Sequence, residues 1–379
     1  MNEINLPLYQ KIYNHLMEEI RSGKYHDGDR IPTEKELAEE FKVSRITTKK
    51  ALELMVENGY ITRIPGKGSY VMENADTDQP ASMQEKNENN RKHSKLIGVI
   101  LPDFSESYGV SLLSGIEKEA SQEECFIVMK RSYGRQDIEE GVIDMLLNLG
   151  VDGIIIMPVH GEHYNPKILR LILDGFPVVS VDRCLSGIPI PFAGTDNLTA
   201  SKRATDFMLE LGHTDIAVLS PPYQNTSAIE DRIEGFVKSH AEKGVVIDES
   251  IWLTDLICTM PSCNAKENIV TDIEKIKELI TSNPHITCLY AVEYNIALLA
   301  LEAVKALGKS VPEDLSIVCF DSPSNYVGNY FFTHVRQREA EMGATALRLL
   351  LNQMNEKGIN DKVYLDADLI MGSTTRKIK

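Results

Sequence analysis

Three observations predict an α/β protein in two unequal parts: a small helical unit ending in a hairpin, and a larger region of two lobes built on parallel sheet. Leu8, Ile12, Leu16 and Ile20 recur at every fourth position, the stripe of an amphipathic helix. From Leu96 onward, short apolar runs alternate with helical stretches, and the alternation restarts at Ile216. Between the two parts, residues 73–95 are almost wholly polar and rich in Asn, Gln and Glu. That composition buries no apolar surface, so it reads as a flexible tether between residues 1–72 and 96–379.

The first helix ends before Gly23. Thr33 and Glu36 form a capping-box pair that starts a second helix, whose apolar face is Leu37, Ala38 and Phe41. Ser44 is an N-cap for a third helix running to about Asn58. On that helix Arg45 and Lys49 share one face, while Ala51, Leu52 and Met55 fall on another. Two β-prone runs, Tyr60 to Ile64 and Ser69 to Val71, flank the turn Pro65-Gly66-Lys67-Gly68 and read as a hairpin. Three helices followed by a hairpin make a winged helix-turn-helix, a shape that sets its third helix into a DNA major groove.

The chain of 379 residues carries a net charge of −16, which taken whole argues against nucleic acid. Its distribution argues otherwise. Residues 1–72 hold 11 basic and 11 acidic side chains, and residues 41–71 hold six basic against two acidic. The acidity therefore belongs to the larger region. No apolar run approaches the roughly 18–20 residues of a membrane span, and the polar start lacks a secretory h-region, so a cytoplasmic protein is expected. Six scattered cysteines without a C-x-x-C pair read mostly as small buried hydrophobes, and neither a metal nor a cofactor is expected.

In the larger region, Leu96–Leu101, Phe126–Met129, Gly153–Met157 and Val178–Val181 read as buried strands separated by helices. A second set follows at Ile216–Leu219, Leu289–Val292 and Ser316–Phe320. Ligands in such sheets sit beyond the carboxyl ends of the strands. The polar groups there are Asp103, Ser105, Asp182, Arg183, Asp196, Glu293 and Asp321. Any one of them could cap a helix; several converging can form bidentate hydrogen bonds to the adjacent hydroxyls of a sugar.

Two resemblances sharpen these expectations. Pro32–Ala38, Val43–Lys49, Gly59–Ile61 and Gly66–Val71 resemble the DNA-binding domain of the GntR family in order and spacing. That resemblance implies a base-reading role for Arg45, and contacts to bases or phosphates by Thr33, Lys35, Ser44, Thr47 and Lys49. It also implies a close approach of the wing at Gly66, Lys67 and Gly68. Physically, arginine is the usual bidentate partner of guanine, and lysines and hydroxyls hold register on phosphate. Val179–Arg183, Gly194–Asn197, Leu211–Ala217, Asp231–Phe236, Val311–Ile317 and Gly372–Arg376 are similar to the effector domain of LacI/GalR regulators, itself like periplasmic sugar-binding proteins.

The second resemblance implies an effector cleft between two lobes, with contacts at Tyr108, Asp182, Arg183, Arg232, Glu293 and Asp321. Glu293-Tyr294 stands where that family usually has Asn-Asp, and Gln337-Arg338 where it usually has Gln-Pro. The combination resembles the arabinose repressor group. It implies a homodimeric repressor that binds a double-stranded operator and responds to a sugar, L-arabinose or a related monosaccharide. A sugar carrier without a DNA role, an activator, or a corepressor-dependent regulator are the alternatives. Catalysis is not expected, for the sequence holds no nucleophile elbow and no P-loop. His213, at a helix-to-strand junction, reads as structural.

Overall fold

The computed structural model describes residues 8–64, 67–72, 94–159, 164–224, 226–260, 263–323, 330–355 and 360–378. The chain divides into an N-terminal unit and a C-terminal unit that begins at His93. The expected tether at 73–95 lies outside the described residues apart from Ser94 and Lys95.

In the N-terminal unit, α1 (Leu8–Arg21), α2 (Glu34–Phe41) and α3 (Arg45–Glu57) precede β1 (Ile61–Ile64) and β2 (Gly68–Val71). The strands pair antiparallel, Ile61 opposite Val71 and Ile64 opposite Gly68. Ile12, Leu16, Leu37, Ala51, Leu52, Met55, Ile61 and Val71 fill one core, each at most 2% exposed. The capping box forms at α2, where the Thr33 hydroxyl accepts from the Glu36 N–H at 3.3 Å and the Glu36 carboxylate accepts from the Thr33 N–H at 2.7 Å. The fully buried Thr48 hydroxyl shares its proton between the Glu34 and Arg45 carbonyls, both at 3.0 Å, and so ties the start of α3 to the start of α2.

The C-terminal unit has two lobes. Lobe 1 contains β3 (Leu96–Leu101), α4 (Val110–Gln122), β4 (Phe126–Arg131), α5 (Gln136–Leu149), β5 (Gly153–Ile156), α6 (Pro166–Leu173), β6 (Val178–Val181) and β7 (Phe192–Thr195). The helix α7 (Asn197–Glu210) crosses to lobe 2, with β8 (Ile216–Leu219), α8 (Ser227–Lys243), α9 (Lys266–Ser282), β9 (Cys288–Ala291), α10 (Tyr294–Ala306), β10 (Ser316–Phe320) and β11 (Thr333–Arg336). The chain then returns through α11 (Glu339–Asn355) to β12 (Lys362–Leu365) in lobe 1, and crosses a third time to β13 (Asp368–Ile370) in lobe 2. The six-stranded sheet runs β12-β7-β6-β5-β3-β4 and the five-stranded sheet β13-β11-β10-β9-β8. Every residue of β5, β6, β8 and β9 is buried, as parallel strands covered on both faces require.

One strand departs from the expected parallel order. β13 lies antiparallel to β11. A parallel neighbour needs a long crossover, and only Asp366 and Ala367 separate β12 from β13, so the direction of β12 fixes that of β13. The cysteines also differ from expectation: Cys258, Cys288 and Cys319 are buried, but Cys125, Cys184 and Cys263 are partly exposed.

α11 packs along α4 over lobe 1, and two glycines set that crossing. A Cβ at Gly115 would stand 2.0 Å from the Ala340 carbonyl oxygen, and one at Gly343 would stand 2.2 Å from the Leu112 carbonyl oxygen. Backbone cannot yield as a side-chain tip can. Gly343→Val therefore forces the helices apart, and we expect a loss of about 3 kcal/mol in urea-unfolding stability, the upper end of overpacking costs. An unchanged urea midpoint would contradict this account of the crossing.

Candidate functional site

The N-terminal unit presents the face expected to meet DNA. Ser44 caps α3: its hydroxyl accepts from the Thr47 N–H at 3.3 Å and lies 2.9 Å from the Thr47 hydroxyl. Arg45 follows on the first turn with its side chain exposed, and Lys49 is exposed one turn later, 3.7 Å from Glu53. Thr47 is half-buried. Lys35 projects from α2, 3.9 Å from Glu39, and Thr33 serves as the α2 cap. On the wing, Lys67 is exposed and Gly68 has φ of 121°, where a Cβ would meet Arg30 Nε at 2.9 Å. Gly66 lies outside the described residues. Arg63 on β1 pairs with Glu34 at 3.0 Å and braces the wing against α2.

The C-terminal unit encloses a cavity of about 220 Å³ at the carboxyl ends of strands from both lobes. All six residues expected at an effector site line it: Tyr108, Asp182 and Arg183 from lobe 1, and Arg232, Glu293 and Asp321 from lobe 2. Asp103 and Ser105 line it as well, whereas Asp196 does not; its carboxylate caps α7, accepting from the Thr199 N–H at 3.0 Å.

The polar groups in the cavity form a connected set. The Tyr108 hydroxyl donates to Asp182 at 2.6 Å. Gln337 donates to both Asp321 oxygens at 3.0 and 3.1 Å, and accepts from the buried Thr195 hydroxyl at 2.6 Å. Arg232, 5% exposed, donates from Nε to Asn197 at 2.8 Å and from Nη1 to the Val292 carbonyl at 2.7 Å. Its guanidinium lies over the Phe320 ring, 3.9 Å from the centroid. Arg183 donates to the Pro158 carbonyl at 3.2 Å. Asp182 and Asp321 follow β6 and β10, and both adopt φ of 64°, left-handed backbone uncommon for a residue with a side chain.

The chain matches two families, "Bacterial regulatory proteins, gntR family" over residues 8–71 and "Periplasmic binding protein-like domain" over residues 205–375. It carries a gntR-family domain followed by a periplasmic binding protein-like domain. This makes it a DNA-binding transcription regulator with a LacI-type sensor. The regulator is 24% identical over 389 residues to the arabinose metabolism transcriptional repressor of Geobacillus stearothermophilus, covering 100% of both chains. It is 26% identical over 354 residues to the protein of that name from Halalkalibacterium halodurans, covering 91% of this chain and 90% of that one. In fold it is similar to the transcription regulator CcpA of Lactococcus lactis, with a TM-score of 0.63 at 24% identity over 75% of this chain and 100% of that one.

Several residues that shape the regulator's cavity escaped the sequence reading. Thr226, Thr259 and Asn295 line it, and Asn197 orients Arg232 from the start of the crossover helix α7. Asn197 closes the Gly194–Asn197 segment after β7, but Thr226 and Thr259 stand in no such motif, and only the fold brings Asn197 to Arg232 and the threonines to the cavity. His213 is buried, with its ring nitrogens 2.9 Å from the Thr287 hydroxyl and 3.1 Å from the Arg376 carbonyl, which joins the C-terminal segment to lobe 2.

Burial dominates the acid–base behaviour of the cavity. It pushes Asp321 up to about 7, against the opposing pull of Arg232 and the Gln337 hydrogen bonds. Burial likewise pushes Glu339 up to about 7, although its carboxylate accepts from the Gly109 N–H at 2.7 Å. Glu293 is raised by burial, with Arg232 opposing, and Tyr108 is raised well above its ordinary value by burial and then by the Asp182 charge. A carboxyl whose folded pKa is raised holds its proton more tightly folded than unfolded. Its ionisation therefore costs stability as pH rises from the unfolded value near 4 to the folded value near 7. Asp321→Asn removes that cost. We expect urea midpoints of the unliganded variant to exceed wild type at pH 8 and to converge with it at pH 4; a lower midpoint at pH 8 would show the charged carboxylate to be stabilising.

Proposed function

We propose that this regulator is a cytoplasmic homodimeric repressor of carbohydrate-utilisation genes, released from a near-palindromic operator when a sugar fills the cavity between its lobes. The observation that carries the proposal is the convergence of Asp182, Asp321, Glu293 and Arg232 from two lobes on one 220 Å³ cavity. Several acceptors beside a guanidinium suit the adjacent hydroxyls of a monosaccharide, and that volume is on the scale of one sugar ring with its contacts. The cavity lies between lobes joined by three crossovers, so a ligand touching both favours the closed arrangement. The full-length relatives from Geobacillus stearothermophilus and Halalkalibacterium halodurans are named arabinose metabolism transcriptional repressors, which supports L-arabinose or a close relative as the sugar.

On this reading Arg45 reads a base edge, with Ser44, Thr47, Lys49, Thr33 and Lys35 contacting bases or phosphates and the wing at Lys67 and Gly68 approaching the duplex. Two copies related by a two-fold axis read two half-sites. The protein works by binding, without a catalytic step. It is tested by gel shift with the gene's own upstream DNA, with and without L-arabinose. Binding that the sugar weakens is expected; no shift under either condition would remove the DNA role, and a shift strengthened by sugar would reverse the sign of control. Arg45→Ala should reduce operator affinity by about tenfold or more, the worth of one bidentate base contact, while leaving the response to sugar by calorimetry intact. Loss of both together would indicate misfolding rather than a reading residue.

A further inference from the structure

The residues proposed to meet DNA lie on two helices: Thr33 and Lys35 at the start of α2, and Ser44, Arg45, Thr47 and Lys49 along α3. Contacts to phosphate set where a protein stands on the duplex, and contacts to base edges set what it reads. The two sets act together only if the starts of the two helices keep a fixed relation. One buried side chain spans them. The Thr48 hydroxyl, fully buried, lies 3.0 Å from the carbonyl of Glu34, the first residue of α2, and 3.0 Å from the carbonyl of Arg45. Among the described residues no other hydrogen bond joins α2 to α3. Leu37 and Leu52 share the core between them, but apolar burial is non-directional and does not fix a register.

The surroundings make that bond consequential. On the outer side of the same turn, the Ser44 and Thr47 hydroxyls lie 2.9 Å apart and hold one another. The exposed Arg45 side chain has no hydrogen bond or ion pair among the described residues. The direction in which it leaves the helix therefore follows from its backbone, and Thr48 grips that backbone at the Arg45 carbonyl. Glu34 is also where the wing attaches, since its carboxylate pairs with Arg63 of β1 at 3.0 Å. Both DNA-facing elements, α3 and the wing, thus meet α2 at one residue, the first through its carbonyl and the second through its carboxylate. Valine fills nearly the volume of threonine but cannot donate, so at position 48 it would keep the core filled and undo the joint.

We infer that Thr48 is a positioning residue for base reading: it fixes the register between the phosphate contacts of α2 and the base contact of Arg45. It thereby sets operator specificity rather than affinity for DNA in general. This rests on the proposed role of Arg45 as the base reader. Thr48 lies inside the core and acts through the Arg45 backbone, so its contribution exists only while Arg45 has a side chain to aim.

The test is a double-mutant cycle on the full-length protein, read on an upstream duplex that wild type binds and on a scrambled duplex of equal length and composition. Thr48→Val should bind the upstream duplex about tenfold more weakly, the worth of one misaimed base contact, and the scrambled duplex within about twofold of wild type. Its salt dependence on the scrambled duplex should not change, because the phosphate contacts remain. Thr48→Ser keeps the hydroxyl and should match wild type on both. In an Arg45→Ala background, Thr48→Val should cost less than about twofold more. Thr48→Ala should repeat the pattern, which preserves the comparison if valine unfolds the unit. Thr48→Val binding like wild type, equal losses on both duplexes, or full additivity with Arg45→Ala would each overturn the inference and leave Arg45 as the reader. If Arg45→Ala itself binds the upstream duplex like wild type, the base-reading role falls, and this inference with it.

Discussion

The sensor is organised around one buried cation. Arg232 sits on α8, yet its guanidinium reaches the first residue of the crossover helix α7, the carbonyl after β9 and the ring at the end of β10. A guanidinium removed from water is tolerable only when hydrogen bonds and countercharge replace the water. Here Asn197 and the Val292 carbonyl supply the bonds and the Phe320 ring covers one face, while Arg232 opposes the rise that burial gives the Glu293 and Asp321 carboxyls. The Arg232 carbonyl in turn accepts from the Ser201 hydroxyl, which lies 2.7 Å from the Tyr290 hydroxyl in the lobe 2 core. One side chain thereby fixes the crossover, the strand ends and the acidic wall of the cavity relative to one another.

The two lobes repeat a device at their strand ends. Asp182 and Asp321 take the same left-handed backbone conformation after β6 and β10, a strain of about 1 kcal/mol or more each that persists only where the surroundings insist on it. Both carboxylates line the cavity, one bonded to Tyr108 and the other to Gln337. Gln337 joins the lobes chemically, since it follows β11 of lobe 2 and accepts from Thr195 at the end of β7 in lobe 1. A ligand that competes for these bonds acts on the joint as well as on the walls. In the proposed function this is how occupancy of the cavity reaches DNA affinity.

Much of this was legible in the sequence because it follows from local rules. The four-residue stripe of α1, the Thr33–Glu36 capping box and the Ser44 cap each depend on residues within one or two turns, and all appear where expected. The apolar strands from β3 to β6 and from β8 to β10 were visible as apolar runs, although β4, expected to be buried, lies at the sheet edge and buries none of its residues. The strands that escaped, β7 and β11 to β13, are short and lie at or next to the sheet edges, where Thr333-His334-Val335-Arg336 or Lys362-Val363-Tyr364-Leu365 shows no continuous apolar run. Strand-end acids could be found by position. Thr226, Thr259, Asn197 and the brace at Thr48 could not, because their roles arise from residues far away in the chain.

The central claim is that cavity and operator are thermodynamically coupled, and coupling must be reciprocal. The direct measurement is the affinity of L-arabinose for the free protein and for the protein saturated with operator duplex, by calorimetry. The account predicts weaker sugar binding on the operator complex, by the same factor by which saturating sugar weakens operator binding. Equal sugar affinity with and without operator would contradict it.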